Sequence, residues 1–186
     1  MPFSDPDVRV AAINLIASKW RDEAVLDVGV GNGFYGETLH QKFNALVYGI
    51  EVWPKYIVNQ LLYYRTIFLC DARTFEYEML KNRVGLVILG DVVEHLEKDE
   101  AVMLVNRLRG LFPWLVMTIP IVNVPQGAYG GNVYETHRYQ WKVPEIESDL
   151  GLKLIADCGM CGLFEYVGIR KGRDIMSGVI AVPSSK

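Results

Sequence analysis

Four acidic side chains and a run of glycines carry the first chemistry that can be read. Asp27 stands inside a short apolar run, Ala24-Val25-Leu26-Asp27-Val28-Gly29-Val30, which opens into Gly31-Asn32-Gly33-Phe34-Tyr35-Gly36. A backbone without Cβ atoms turns tightly and comes close to a ligand. The helix that follows presents unpaired N–H groups to that ligand. Glu51, Asp71 and Asp91 each close a later apolar run. An acid at the second of these run ends accepts hydrogen bonds from ribose hydroxyls. One at the third end can accept from an exocyclic amine such as that of adenine. Together they describe an adenosine-containing ligand with a polar tail over the glycine loop.

Two cofactor classes fit that description. Gly31–Gly36 has the spacing G-x-G-x-x-G of dinucleotide sites, with Glu51 at the expected distance for a ribose acid. Three features oppose a nicotinamide reading. Asp27 lies within the first apolar run, the glycines begin earlier as Gly29-x-Gly31-x-Gly33, and two later runs end in Asp. A Tyr-x-x-x-Lys pair is also missing at Tyr35 and Tyr56, which are followed four residues on by Leu39 and Gln60.

Further polar groups cluster later in the chain. His95 follows Asp91-Val92-Val93-Glu94, and His137 lies in Tyr134-Glu135-Thr136-His137-Arg138-Tyr139-Gln140-Trp141. An imidazole titrates near pH 6.5 and suits proton transfer, so His95 and His137 are the candidate catalytic residues. Glu135 and His137 could share a metal, but the spacing shows no third ligand, so no metal site is expected. Cys158-Gly159-Met160-Cys161 is a single C-x-x-C without the second pair that zinc needs. Arg170, Lys171 and Arg173 read as a solvated basic face.

These residues need elements to position them. Asp5-Pro6 is a helix start, with Asp5 as cap and Pro6 in the first turn. Val8, Ala12, Leu15 and Ile16 then recur at helical spacing up to about Trp20. Strands are expected at Ala24–Val30, Leu46–Ile50, Thr66–Cys70, Val84–Leu89 and Leu115–Ile119. Helices are expected at Glu37–Phe43, Lys55–Tyr64 and Lys98–Leu111, the last with an acidic entry that complements its dipole. Two or three further strands fit Leu152–Val182. The connection Ile121–Val143 is long, and long connections commonly carry function. Near-continuous apolar strands alternating with helices predict a parallel sheet covered on both faces.

Composition bounds the answer. The chain has 186 residues, 51% of them hydrophobic and 22% charged, which fits one globular domain over 1–186 and excludes a disordered chain or a coiled coil. The net charge of −3 does not force a nucleic-acid face. No apolar run approaches a membrane span, no signal peptide is visible, and three cysteines suit a reducing cytoplasm better than a disulfide framework.

The glycine loop and the acids that follow resemble those of class I S-adenosylmethionine-dependent methyltransferases. Val25–Gly33 resembles their first motif, Glu51 their ribose-binding acid, and Cys70-Asp71-Ala72 their adenine-binding step. Leu86–Leu96 is similar to the fourth-strand motif of a subgroup with Asp-Val-x-Glu-His-Leu. The resemblance covers about Ala24 to Pro120 and fades where such enzymes bind substrate. It implies a three-layer α/β/α, doubly wound, mostly parallel seven-stranded sheet, the last strand antiparallel and inserted beside the fifth. It also implies S-adenosylmethionine as cofactor and S-adenosylhomocysteine (SAH) as product. Gly29, Gly31 and Gly33 would bound the methionine part, and Asp27 would orient the loop and approach the amino group. Glu51 would hold the ribose, Trp53 pack on the adenine, and Asp71 and Ala72 bind its edge. Asp91 would face the methionyl end. The lack of a substrate domain or a basic tract favours a small-molecule acceptor and leaves protein or RNA open. An NAD(P)-dependent oxidoreductase and a non-catalytic cofactor-binding module are the competing readings.

Overall fold

The computed structural model describes residues 5–57 and 62–168. Helix α1 spans Pro6–Lys19, with the Asp5 side chain accepting from the Asp7 N–H at 2.8 Å. Strand β1 (Ala24–Val28) leads through the glycine loop into α2 (Phe34–Phe43). Then come β2 (Val47–Glu51), β3 (Thr66–Leu69), β4 (Val84–Gly90), α3 (Lys98–Leu111) and β5 (Trp114–Pro120). A short helix α4 (Val143–Glu145) runs on into a wider helical turn, Ile146–Leu150. The chain then forms β6 (Lys153–Asp157) and β7 (Cys161–Val167).

The seven strands form one sheet in the order β3-β2-β1-β4-β5-β7-β6. The first five are parallel, and β7 runs antiparallel to both β5 and β6. The parallel strands are those expected from the apolar runs, and the seven-stranded sheet with its inserted antiparallel strand is what the resemblance implied. The strand order reverses between β1 and β4, the switch point where open α/β sheets bind ligands beyond their strand ends.

Alternation along the strands explains the three layers. Val25, Val47, Leu86, Ile88 and Val116 pack with Val8 and Ile16 of α1 and Leu39 of α2. Their neighbours Leu26, Val28, Val87, Leu89, Leu115 and Met117 face the other way, against Leu104 and Leu108 of α3 and against Trp141 and Leu150. Both faces of the central strands are therefore dry, as parallel strands require. Each Leu or Val so buried is worth about 1.5–3 kcal/mol.

Some boundaries differ from the sequence reading. The first strand stops at Val28, and α2 begins at Phe34, because Gly33 caps it at φ 79°. The helix expected over Lys55–Tyr64 is a 3-10 turn at Pro54–Tyr56 in its described part, and residues 58–61 lie outside the described residues. Tyr56, Ile57, Tyr63 and Tyr64 are β-branched or aromatic and support a helix poorly. The end of the last expected strand region, with Arg170, Lys171 and Arg173, also lies outside the described residues. No described helix is long and apolar enough to cross a membrane.

Candidate functional site

The loop after β1 is held from below and from the side. Gly29 and Val30 donate to the Ile50 carbonyl at 2.9 and 3.1 Å, which ties the loop to β2. Gly29 adopts φ +77°, and a Cβ there would sit 2.6 Å from Val92 Cγ2, so the turn admits no side chain. Glu51 is 5% exposed and clamps the loop: its two carboxylate oxygens accept from the Gly31 N–H at 2.8 Å and the Trp53 N–H at 2.7 Å. Burial raises the Glu51 pKa, and these backbone donors oppose the rise.

Asp27 lies beneath this loop, at 1% exposure. Its Oδ2 accepts from Tyr64 Oη at 2.6 Å, and the same hydroxyl accepts from the Gly36 N–H at 3.1 Å. Burial pushes the Asp27 pKa up to about 7, against the Tyr64 hydrogen bond and with help from the Glu51 charge. Tyr64 is the residue that sequence reading missed. Gly36 and Gly49, whose absent Cβ atoms would meet the Tyr64 ring, are its only trace in the sequence.

Past β3, Asp71 is engaged by Arg73, whose guanidinium donates to both carboxylate oxygens and also reaches Glu100 at 2.6 Å. The hydrogen bonds from Arg73 hold the Asp71 pKa below its usual value. The Ala72 carbonyl accepts from Tyr77 Oη at 2.8 Å.

The end of β4 builds a further part of the wall. Asp91 takes φ +53°, a conformation non-glycine residues adopt at a cost, and its N–H donates to the Thr118 carbonyl at 2.9 Å. A 3-10 turn, Val93–His95, then carries Glu94 and His95. Glu94 is 3% exposed, and both of its carboxylate oxygens lack a hydrogen-bond partner among the described residues. Burial, reinforced by the Asp91 charge, drives its pKa well up.

The connection Ile121–Val143 folds back onto this turn. Arg138 and Tyr139 donate their N–H groups to the Glu94 carbonyl at 2.8 and 3.2 Å. Gln126 Nε2 donates to the Glu135 carbonyl at 2.6 Å, and the His137 N–H donates to the Gln126 carbonyl. Trp141 is fully buried at the root of the connection. His137 thereby meets His95, with ring centroids 5.0 Å apart and edge to face. His95 Nδ1 lies 3.4 Å from the Thr136 carbonyl and His137 Nδ1 2.6 Å from the Val124 carbonyl. Burial, then the His137 charge, lowers the His95 pKa to about 4, and burial lowers that of His137.

The sequence offered Glu135 and His137 no third ligand. The fold instead groups Glu94, His95 and His137, with one ligand atom from each lying within 4.8 Å of the others. Glu135 lines the same cavity but stands outside this group, accepting from Tyr56 Oη at 2.7 Å.

These walls enclose a cavity of about 550 Å³ at the carboxyl ends of β1, β2 and β4. Gly29, Gly31, Glu51, Asp71, Ala72, Asp91, Glu94, His95 and His137 all line it, as do Phe34 and Tyr35. Three expected contacts stand behind the lining. Asp27 faces Tyr64, Gly33 caps α2, and the Trp53 indole faces Tyr134 and Lys55. Cys158 and Cys161 are free thiols, and Cys161 lines the cavity.

No family model and no curated protein matches the chain. Solved structures share its fold. One is the magnesium protoporphyrin IX methyltransferase ChlM from Synechocystis PCC 6803 with bound SAH. It has a TM-score of 0.60 and 22% identity, over 88% of this chain and 82% of that one. The 1,6-didemethyltoxoflavin-N1-methyltransferase of Burkholderia thailandensis, with bound 1,6-didemethyltoxoflavin and S-adenosylhomocysteine, has a TM-score of 0.66 and 15% identity, over 90% and 80%. The small RNA methyltransferase HEN1 has a TM-score of 0.69 and 16% identity, over 91% of this chain and 26% of that one. At such identities the likeness is one of fold: the Rossmann-like, seven-stranded sheet of these methyltransferases is the sheet described above.

Proposed function

We propose that the chain is an S-adenosylmethionine-dependent methyltransferase, with residues 1–186 forming one such domain. One observation carries the reading. The glycine loop, Glu51, Ala72, His95 and His137 all line one cavity, so groups suited to a cofactor and groups suited to an acceptor meet in one space. The volume of about 550 Å³ falls within the range of ligand sites. The SAH or S-adenosylhomocysteine bound in the neighbours of like fold supports the same cofactor here.

In this reading Gly29 and Gly31 flank the methionine part, Glu51 accepts from the ribose, and Asp71 and Ala72 take the adenine edge. Asp91 faces the methionyl end. Asp27 acts through Tyr64 and the loop, Gly33 shapes the turn, and Trp53 supports the rim. The sulfonium already activates the methyl group, so the protein mainly aligns the acceptor in line with the S–CH3 bond. Bound S-adenosylmethionine would supply the methyl group and keep the electron pair of the broken S–CH3 bond on sulfur, and the acceptor would give up a proton. His95 and His137, kept neutral by burial, have a lone pair to receive it.

The acceptor is read as a small molecule, since it must fit between the loop and Ile121–Val143. The RNA acceptor named for HEN1 keeps a polynucleotide end as a second class to assay. The free thiols Cys70, Cys158 and Cys161 support a reducing, cytoplasmic setting.

Calorimetric titration with SAH, and with NAD in parallel, tests the proposal. Saturable SAH binding without NAD binding is the expected result. Binding of NAD alone would replace this reading with a nicotinamide one. Binding of SAH without turnover on an acceptor panel would favour a non-catalytic module.

A further inference from the structure

We propose that Glu94, His95 and His137 form a binding site for a first-row divalent cation on the acceptor wall of the cavity. Two observations converge on it. The first is geometric: two imidazoles and a carboxylate from two separate segments bring ligand atoms within 4.8 Å of one another. Ligand bonds to such a cation are about 2.0–2.2 Å, so ligands of one ion stand roughly 3–4 Å apart. Small side-chain rotations close the remaining gap.

The second observation is Glu94 itself. It is 3% exposed, and neither carboxylate oxygen has a hydrogen-bond partner among the described residues. A buried carboxylate without donors is costly unless a proton or a cation neutralises it. Arg138, whose N–H meets the Glu94 carbonyl, directs its guanidinium at Glu97 instead, and Lys98, four residues on from Glu94, pairs with Glu145 and Asp149.

The imidazoles are also oriented as ligands are. A carbonyl oxygen can only accept, so His95 and His137 donate from Nδ1 to the Thr136 and Val124 carbonyls. In the neutral rings the lone pair is then on Nε2. Imidazole ligands commonly give their second nitrogen to such a backbone carbonyl. Two imidazoles and one carboxylate suit zinc, manganese, iron or cobalt better than magnesium or calcium. Three protein ligands leave a coordination position for water or an acceptor oxygen.

Cation binding does not depend on the methyltransferase reading, but its catalytic use does. With a cation present the two imidazoles serve as ligands rather than proton acceptors. An acceptor hydroxyl on the cation would lose its proton more readily, to solvent water, and its oxygen would then take the methyl group while the electron pair of the broken S–CH3 bond stays on sulfur.

The test uses Co2+ on the purified full chain, followed by visible absorption and by NMR of the histidine rings. The chain has three histidines, and His40 on α2 is an internal control. One equivalent of Co2+ should bind saturably and shift or broaden the His95 and His137 rings while sparing His40. Glu94→Gln and His137→Ala should each weaken Co2+ binding at least tenfold, and Glu76→Gln, on an exposed side chain, should not. Thermal melting of each variant checks its folding, and wild-type NMR decides the matter if a variant does not fold. No saturable binding, or equal perturbation of all three rings, overturns the site. SAH titration of the same protein reads the methyltransferase proposal separately, so either can fail alone.

Discussion

Tyr64 Oη sits 2.6 Å from Asp27 Oδ2 and 3.1 Å from the Gly36 N–H, so one hydroxyl joins the first strand to the helix after the glycine loop. The loop is thus supported from inside the fold as well as by Glu51. Removing that hydroxyl should leave Asp27 buried without its donor. Tyr64→Phe is expected to destabilise the fold by about 1–3 kcal/mol. Urea unfolding measures this, and an unchanged midpoint would show that the bond contributes nothing.

Asp27 also makes stability depend on pH. Its folded pKa is raised to about 7 by burial, above its ordinary value of 3.8. Between these values the folded state holds a proton that the unfolded state has lost. The Asp27 contribution is therefore fully present below pH 3.8 and is lost as pH rises through about 7. The expected slope approaches about 1.4 kcal/mol per pH unit within that window. Asp27→Asn should flatten this part of the profile and raise the melting temperature at pH 8 relative to the parent. Parallel profiles for the two proteins would refute the assignment.

Glu51 has two jobs in the proposed site, holding the loop and meeting the ribose. Glu51→Ala removes the acceptors for the Gly31 and Trp53 N–H groups. SAH affinity should fall more than tenfold, read by calorimetry. Asp27→Ala should weaken SAH to a similar degree, here through the loop. Unchanged affinity in both variants would sink the cofactor site.

Gly36 is a steric test of the same region. A Cβ there would lie 2.1–2.4 Å from the Tyr64 ring. Gly36→Ala should cost about 1–3 kcal/mol by overpacking, and Gly36→Ala with Tyr64→Ala, which removes the ring, should cost less than the sum of the two changes. Denaturant titration of the four proteins gives the coupling directly, and simple additivity would rule out the contact.

The Arg73 pairs with Asp71 and Glu100 are partly exposed, with side-chain exposures of 38%, 27% and 39%. Water and salt screen such pairs. Arg73→Ala should therefore change stability by less than about 1 kcal/mol while freeing the Asp71 carboxylate for an adenine amine. SAH affinity should hold or rise. A large fall would mean that Arg73 itself binds the cofactor.

Local residue spacing determined much of this molecule. The Asp5-Pro6 cap, the apolar strand runs and the glycines at 29, 31 and 33 specify elements through turn chemistry and periodicity, which act over a few residues. With the resemblance to methyltransferases, they led to a mostly parallel seven-stranded sheet with one inserted antiparallel strand. They also placed Glu51, Asp71, Ala72 and Asp91 at one edge of the sheet, where all four line the cavity. Tertiary packing decided who partners whom. Tyr64 reaches Asp27 from beyond β2, and Ile121–Val143 carries His137 to Glu94 and His95. No short-range pattern encodes these meetings. They arise because buried polar groups take whatever donors and acceptors the packed sheet, helices and connection bring within reach.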